Sequence, residues 1–146
     1  MKESAMRRAG VAGSLCLLLI IASACNPPET TEGRTHAPGD SISVTGVLVD
    51  SRCFYLDKAN NANVDHNRPE GRVPGCAKAC AMQGFPVAVL EGGDVEGMVW
   101  ILSFPSQVFA DYMAQTVRVQ GEFRSEGIII PHRVETQTGD GWTRIM

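Results

Sequence analysis

The chain has 146 residues, 44% of them hydrophobic, and thirteen Lys and Arg against sixteen Asp and Glu give a formal net charge of −3. With no basic run and no basic–aromatic stripe, that balance argues against a nucleic-acid partner. The length admits one small domain with one core once a processed terminus is set aside.

The first segment reads as a targeting signal. Lys2, Arg7 and Arg8 form a basic head, and the run "VAGSLCLLLIIASA" follows with its core at Leu15–Ile21. That core is shorter than the roughly 20 apolar residues of a comfortable membrane span. It ends in the small residues Ala22, Ser23 and Ala24, then Cys25, the order of a secretory signal and its cleavage site. With a cysteine directly after the cleavage point, residues 1–24 resemble a bacterial lipoprotein signal, although Ala22 stands where Leu is more usual. The resemblance implies diacylation of the Cys25 thiol with palmitate-type chains, cleavage before it, and acylation of the new amino terminus. An ordinary signal peptide or an uncleaved anchor is the plainer alternative. Two or more acyl chains anchor a protein stably where one does not. The implied location is the bacterial cell envelope, facing the extracytoplasmic space. Asn26 rather than Asp after the lipid cysteine implies the outer membrane in a host that has one.

Beyond the signal, ten basic residues face fifteen acidic ones. Residues 25–41, including "NPPETTEGRTHAPGDS", hold almost nothing apolar and cannot offset the entropy of ordering, so they read as a disordered tether with His36 inside it. Residues 42–146 are the domain. "SISVTGVLVD" alternates, with Ile42, Val44 and Leu48 on one face, and reads as a first strand ending near Cys53. "PVAVLE" (86–91) and "VEGMVWIL" (95–102) read as a hairpin about the turn "GGD". In "SFPSQVFADYMAQ" the period changes: Val108, Phe109, Tyr112 and Met113 fall at helical spacing, with Ser103 or Ser106 as the cap. "TVRVQGEF" (116–123) and "IIIPHRVETQ" (128–137) alternate again, Pro131 marking a bulge or edge, and "GWTRI" adds a short sixth strand.

This order predicts a mainly β fold: a five- to six-stranded OB-like barrel, with a short cysteine-bearing helix after strand 1 and a helix between strands 3 and 4. Gly46 and Gly121 sit mid-strand, where a small barrel bends tightly. An immunoglobulin-like sandwich would need about seven strands. The pair "VRVQGEF…GIIIPHRVE" resembles the final hairpin of bacterial OB-like domains. The wider pattern of D-x-x-C, a polar loop, C-x-x-x-C, G-x-P-V-x-V-L and this hairpin is similar to a group of small secreted bacterial proteins. That resemblance implies a fold and carries no activity with it.

Five cysteines are present. Cys16 leaves with the signal and Cys25 takes lipid, so Cys53, Cys76 and Cys80 remain, an odd number in an oxidising compartment. Pro74 and Gly75 favour a helix start and Gly84 its end, which puts Cys76 and Cys80 one turn apart on one face. Three uses compete. A disulfide from Cys53 to Cys76 or Cys80 would staple a loop of about 25 residues and contribute roughly 3 kcal/mol. A Cys76–Cys80 bridge fits helical torsions poorly. Three thiolates with His66 would suit tetrahedral zinc, and thiolates with Met82 or His66 a soft copper ion. Sulfurs all within about 4 Å would fit one shared ion. Thiol redox chemistry is the third use.

The plainer readings make His66 a solvated loop residue, Met82 core packing, Asp50–Arg52 a strand-end ion pair and His132 a solvated strand residue. Trp100 and Trp142 read as core and rim packing. No G-x-S-x-G, phosphate loop or paired-carboxylate signature is present. The function read from the sequence is therefore a membrane-anchored binding or accessory module with a possible envelope protein partner, leaning away from an enzyme.

Overall fold

The computed structural model describes residues 35–146. The expected signal and Cys25 lie outside the described residues.

Strand β1 (Ser41–Asp50) is the hinge of the sheet. Its first part pairs with β6 (Thr116–Ser125) and its second with β4 (Val87–Glu91), both antiparallel. The two ladders overlap at Gly46, where a Cβ would meet the Leu90 carbonyl oxygen at 2.0 Å. Glycine is required there because another strand's backbone occupies the side-chain position. β5 (Val99–Leu102) pairs with β4, and β7 (Ile128–Thr138) pairs with β6. The parallel pairing of β5 with β7 joins β1, β4, β5, β7 and β6 into a ring of five, the small barrel-like fold that the sequence predicts. β8 (Gly141–Arg144) continues past β7 as the sixth strand, with Arg118 stacked 4.7 Å from the Trp142 ring. β2 (His66–Arg68) and β3 (Gly71–Val73) form a separate two-stranded hairpin.

The core follows from alternation. Ile42, Val44, Leu48, Val87, Val89, Val117, Val119, Ile129 and Val134 fill the ring with Trp100 and Phe109. β4 breaks the alternation because both its faces are covered: Ala88 and Leu90 pack outside with Val49 and Phe54. A continuous apolar run such as "VAVL" is the sequence mark of a strand buried on both sides.

Three expectations change in detail and one, the bulge, holds. The β4–β5 turn is longer than "GGD", and β5 begins only at Val99. The segment after β5 is a 3-10 helix, Ser106–Tyr112, entered from Pro105 without a side-chain cap. Ser106, Phe109 and Tyr112 repeat every third residue, as a 3-10 turn requires, and Val108 is exposed. Pro131 does sit at a bulge: Gln120 pairs with Arg133 and Gly121 with Pro131, leaving His132 unmatched. The ordered domain also starts before residue 41, for the His36 ring lies 5.3 Å from Phe123.

Candidate functional site

Between β1 and β4 the chain leaves the ring and builds a small layer that holds all three cysteines. Helix α1 (Ser51–Leu56) follows β1 without a break. Asp50 is its N-cap: Oδ1 accepts from the Arg52 and Cys53 amides at 3.0 and 3.3 Å. The D-x-x-C spacing is thus a capping spacing, with the cysteine at the third helical position. Asp50 is not paired with Arg52, whose guanidinium instead stacks 4.6 Å from the Phe85 ring. Cys53 accordingly lies one turn into a helix rather than at a strand end.

The polar insert is not structureless. It forms a hairpin of β2 (His66–Arg68) and β3 (Gly71–Val73). Asn60, fully buried, ties this hairpin to α1: its Nδ2 donates to the Cys53 and Asn67 carbonyls at 3.2 Å each, and its Oδ1 accepts from the Asn67 amide at 2.8 Å. Asp65 holds the hairpin's exit by accepting from the Gly75 amide at 2.8 Å. That bond, with Arg72 beside it, keeps the Asp65 carboxyl below its ordinary 3.8. Helix α2 (Cys76–Met82) then begins at Gly75, in the left-handed region at φ 63°, and Gly84 closes the turn after it at φ 85°. Ala77 and Ala81 face the barrel core, while Cys76 and Cys80 form a separate buried cluster with Cys53.

The three sulfurs lie within 4.8 Å of one another, and Cys53 and Cys76 are 3.9 Å apart. All three are free thiols. A disulfide bond is about 2.05 Å long, so the expected Cys53 staple is not formed in this arrangement. Sulfurs around a tetrahedral ion with 2.3 Å bonds stand roughly 3.8 Å apart. Cys53 and Cys76 already meet that spacing, and the full set needs less than about 1 Å of closure to reach it. Burial pushes the Cys53 thiol up to about 12, reinforced by Asp50 and then Cys76. Burial, then Asp50, pushes Cys80 up as well. Arg68, in an ion pair with Glu70 at 3.1 Å, is held charged above its ordinary range, first by Cys76 and then by Glu70. A cavity of about 370 Å³ lined by Cys53, Leu56, Asp57, Asn67, Arg68 and Pro69 borders the cluster on its Cys53 side.

His66 is fully buried, not a solvated loop residue. It joins Asp50 and Cys53 in a second group within 4.8 Å, so it is not the fourth member of the cysteine set. Met82 is 56% exposed and is neither core packing nor part of the cluster. His132 is solvated as expected, 3.6 Å from Glu122, and Trp100 is core, its indole donating to Glu91 at 2.9 Å. Asn60 and the capping role of Asp50 escaped the sequence reading. The available signal was Asp three residues before a cysteine at a strand end. For Asn60 an Asn-rich loop gives no sign of which asparagine is buried.

Among protein-family models, curated proteins and solved structures, none matches the chain.

Proposed function

We propose that the protein is a lipid-anchored envelope module that binds a soft or borderline metal ion, zinc or copper, through Cys53, Cys76 and Cys80. The observation that carries this reading is the convergence of three buried free thiols from two separate helices. Thiolates select copper(I) and zinc over hard cations. The cavity beside Cys53 brings open space next to one of the three thiols. The thiol-redox alternative loses Cys53 and Cys80 as attacking groups, because attack needs a thiolate and both are held towards the neutral thiol. The disulfide-stapled interaction module remains the competing use of the same residues. Anchoring rests on the sequence around Cys25, and an envelope protein that donates or receives the ion is the partner this role implies.

The test is metal analysis and thiol counting on protein purified from the envelope without added reductant. The expected result is at least one zinc or copper per chain, lost in Cys53→Ser, with three titratable thiols after the metal is removed. No metal and a single free thiol would establish the staple instead. For the anchor, Cys25→Ala is expected to move the protein out of the membrane fraction and to end palmitate labelling. An unchanged membrane fraction would overturn that part.

A further inference from the structure

We propose that the site takes two metal ions, the second held by Asp50 Oδ2, His66 Nδ1 and the Cys53 sulfur, with Cys53 bridging the pair. This rests on the three-cysteine reading and extends it.

The argument starts from the His66 ring. Its Nε2 lies 3.0 Å from the Asn63 carbonyl oxygen. A carbonyl only accepts, so Nε2 carries a proton, and in the neutral ring Nδ1 then presents a lone pair. That nitrogen faces Asp50 Oδ2 at 3.9 Å, and both side chains are 1% exposed. Neither atom has a hydrogen-bond partner. Asp50 Oδ1 is already used by the α1 amides. Two acceptors therefore point at one another out of reach of water, at a distance too long for a direct hydrogen bond.

A cation between them satisfies both atoms. Nitrogen and oxygen donors on a tetrahedral zinc stand roughly 3.3 Å apart, so the 3.9 Å separation needs about 0.6 Å of closure to share one ion. The Cys53 sulfur belongs to the same group and completes an N, O, S donor set of the kind zinc accepts. An imidazole whose far nitrogen donates to a backbone carbonyl is also the usual outer support of a metal-binding histidine. Charge agrees. Three thiolates and one carboxylate balance two divalent ions, whereas one ion would leave excess negative charge buried. Arg68 lies beside Cys76 as well as Glu70 and offsets at most one of those charges, so one ion still leaves a buried excess. Each thiol gives its proton to solvent as it ligates, and no oxidation or reduction is involved.

The test is anaerobic titration of the reduced, metal-free full chain with Zn²⁺, and separately with Co²⁺ as a spectroscopic probe. Wild type is expected to bind two ions. Asp50→Asn and His66→Ala should each bind one and keep the thiolate-to-cobalt absorption band. Cys76→Ser with Cys80→Ser should also keep one. Two cobalt ions sharing a sulfur couple magnetically, so the wild-type paramagnetic resonance should be weakened and should return in Asp50→Asn. Asp50→Asn also guards against a folding artefact: it keeps the capping oxygen and can offer an amide N–H to Nδ1. One ion in wild type, whether or not it survives His66→Ala, would overturn the second position and leave the three-cysteine reading standing. Two ions retained in both Asp50→Asn and His66→Ala would also overturn it. No bound ion would overturn both readings. A metal-free Asp50→Asn that melts below wild type would identify the Asp50–His66 contact as an ion pair and overturn the inference too.

Discussion

Asp50 uses its two carboxylate oxygens differently, and substitution separates them. Asp50→Ala removes the α1 cap and is expected to cost about 1 kcal/mol in denaturant unfolding. Metal-free Asp50→Asn keeps the capping oxygen and gains a donor towards His66. It should therefore be stabilised by about 1 kcal/mol, read from the same unfolding midpoint. Cys53 sets a pH dependence. Its thiol is raised from 9.0 to about 12, so the folded, metal-free chain favours the protonated form. That contribution is complete below pH 9.0 and is lost as pH rises through about 12, which predicts alkaline unfolding of the metal-free protein. Metal must displace the same proton. Chelator competition between about pH 6 and 9 should then show affinity rising with pH, about tenfold per unit for each proton released. A flat profile would mean that Cys53 is not a ligand.

At the scale of elements, two glycines fix how strands cross. A Cβ at Gly46 would meet the Leu90 carbonyl oxygen at 2.0 Å, and one at Gly121 the Ile130 carbonyl oxygen at 2.2 Å. Both obstacles are backbone and cannot rotate away. Gly46→Ala is expected to destabilise by about 3 kcal/mol or more in chemical denaturation, because the β1–β4 ladder must part to admit the methyl. A loss under about 0.5 kcal/mol would contradict this register. These glycines were legible as bends from their place mid-strand. The 3-10 helix was legible as a helix but not as that kind, since Phe109 and Tyr112 satisfy either period over so short a run. The β2–β3 hairpin was not legible: three-residue strands carry too little alternation to register, and a single buried side chain, Asn60, positions them.

Over the whole molecule, a closed ring carries the large core and the cysteine layer rests against it with a small cluster of its own. Metal should therefore tie down the insert. Zinc at a hundred times its dissociation constant should stabilise wild type by about 2.7 kcal/mol and leave Cys53→Ser/Cys76→Ser/Cys80→Ser unchanged in thermal melts. A second pH effect belongs to the ring. Glu135, on β7, bonds Arg133 and Arg118 at 2.6 Å each, and these hold its carboxyl below the ordinary 4.5, Arg133 first. Its contribution is present above 4.5 and is lost as pH falls below it, so Glu135→Gln should flatten the acid limb of a stability–pH profile.

The sequence by itself determined the strands of the ring, their order along the chain, the inward faces and the helix that carries Cys76 and Cys80, because period and turn chemistry are local properties. It also named the three thiols, since an odd number of cysteines stands out by count. Only the tertiary structure decided that they meet as free thiols, that Asp50 caps Cys53, that His66 is buried beside Asp50, and that Met82 is exposed. Each of those depends on how the insert folds back across the end of β1. Burial and distance between residues far apart in the chain are set by packing, which leaves no mark on local periodicity.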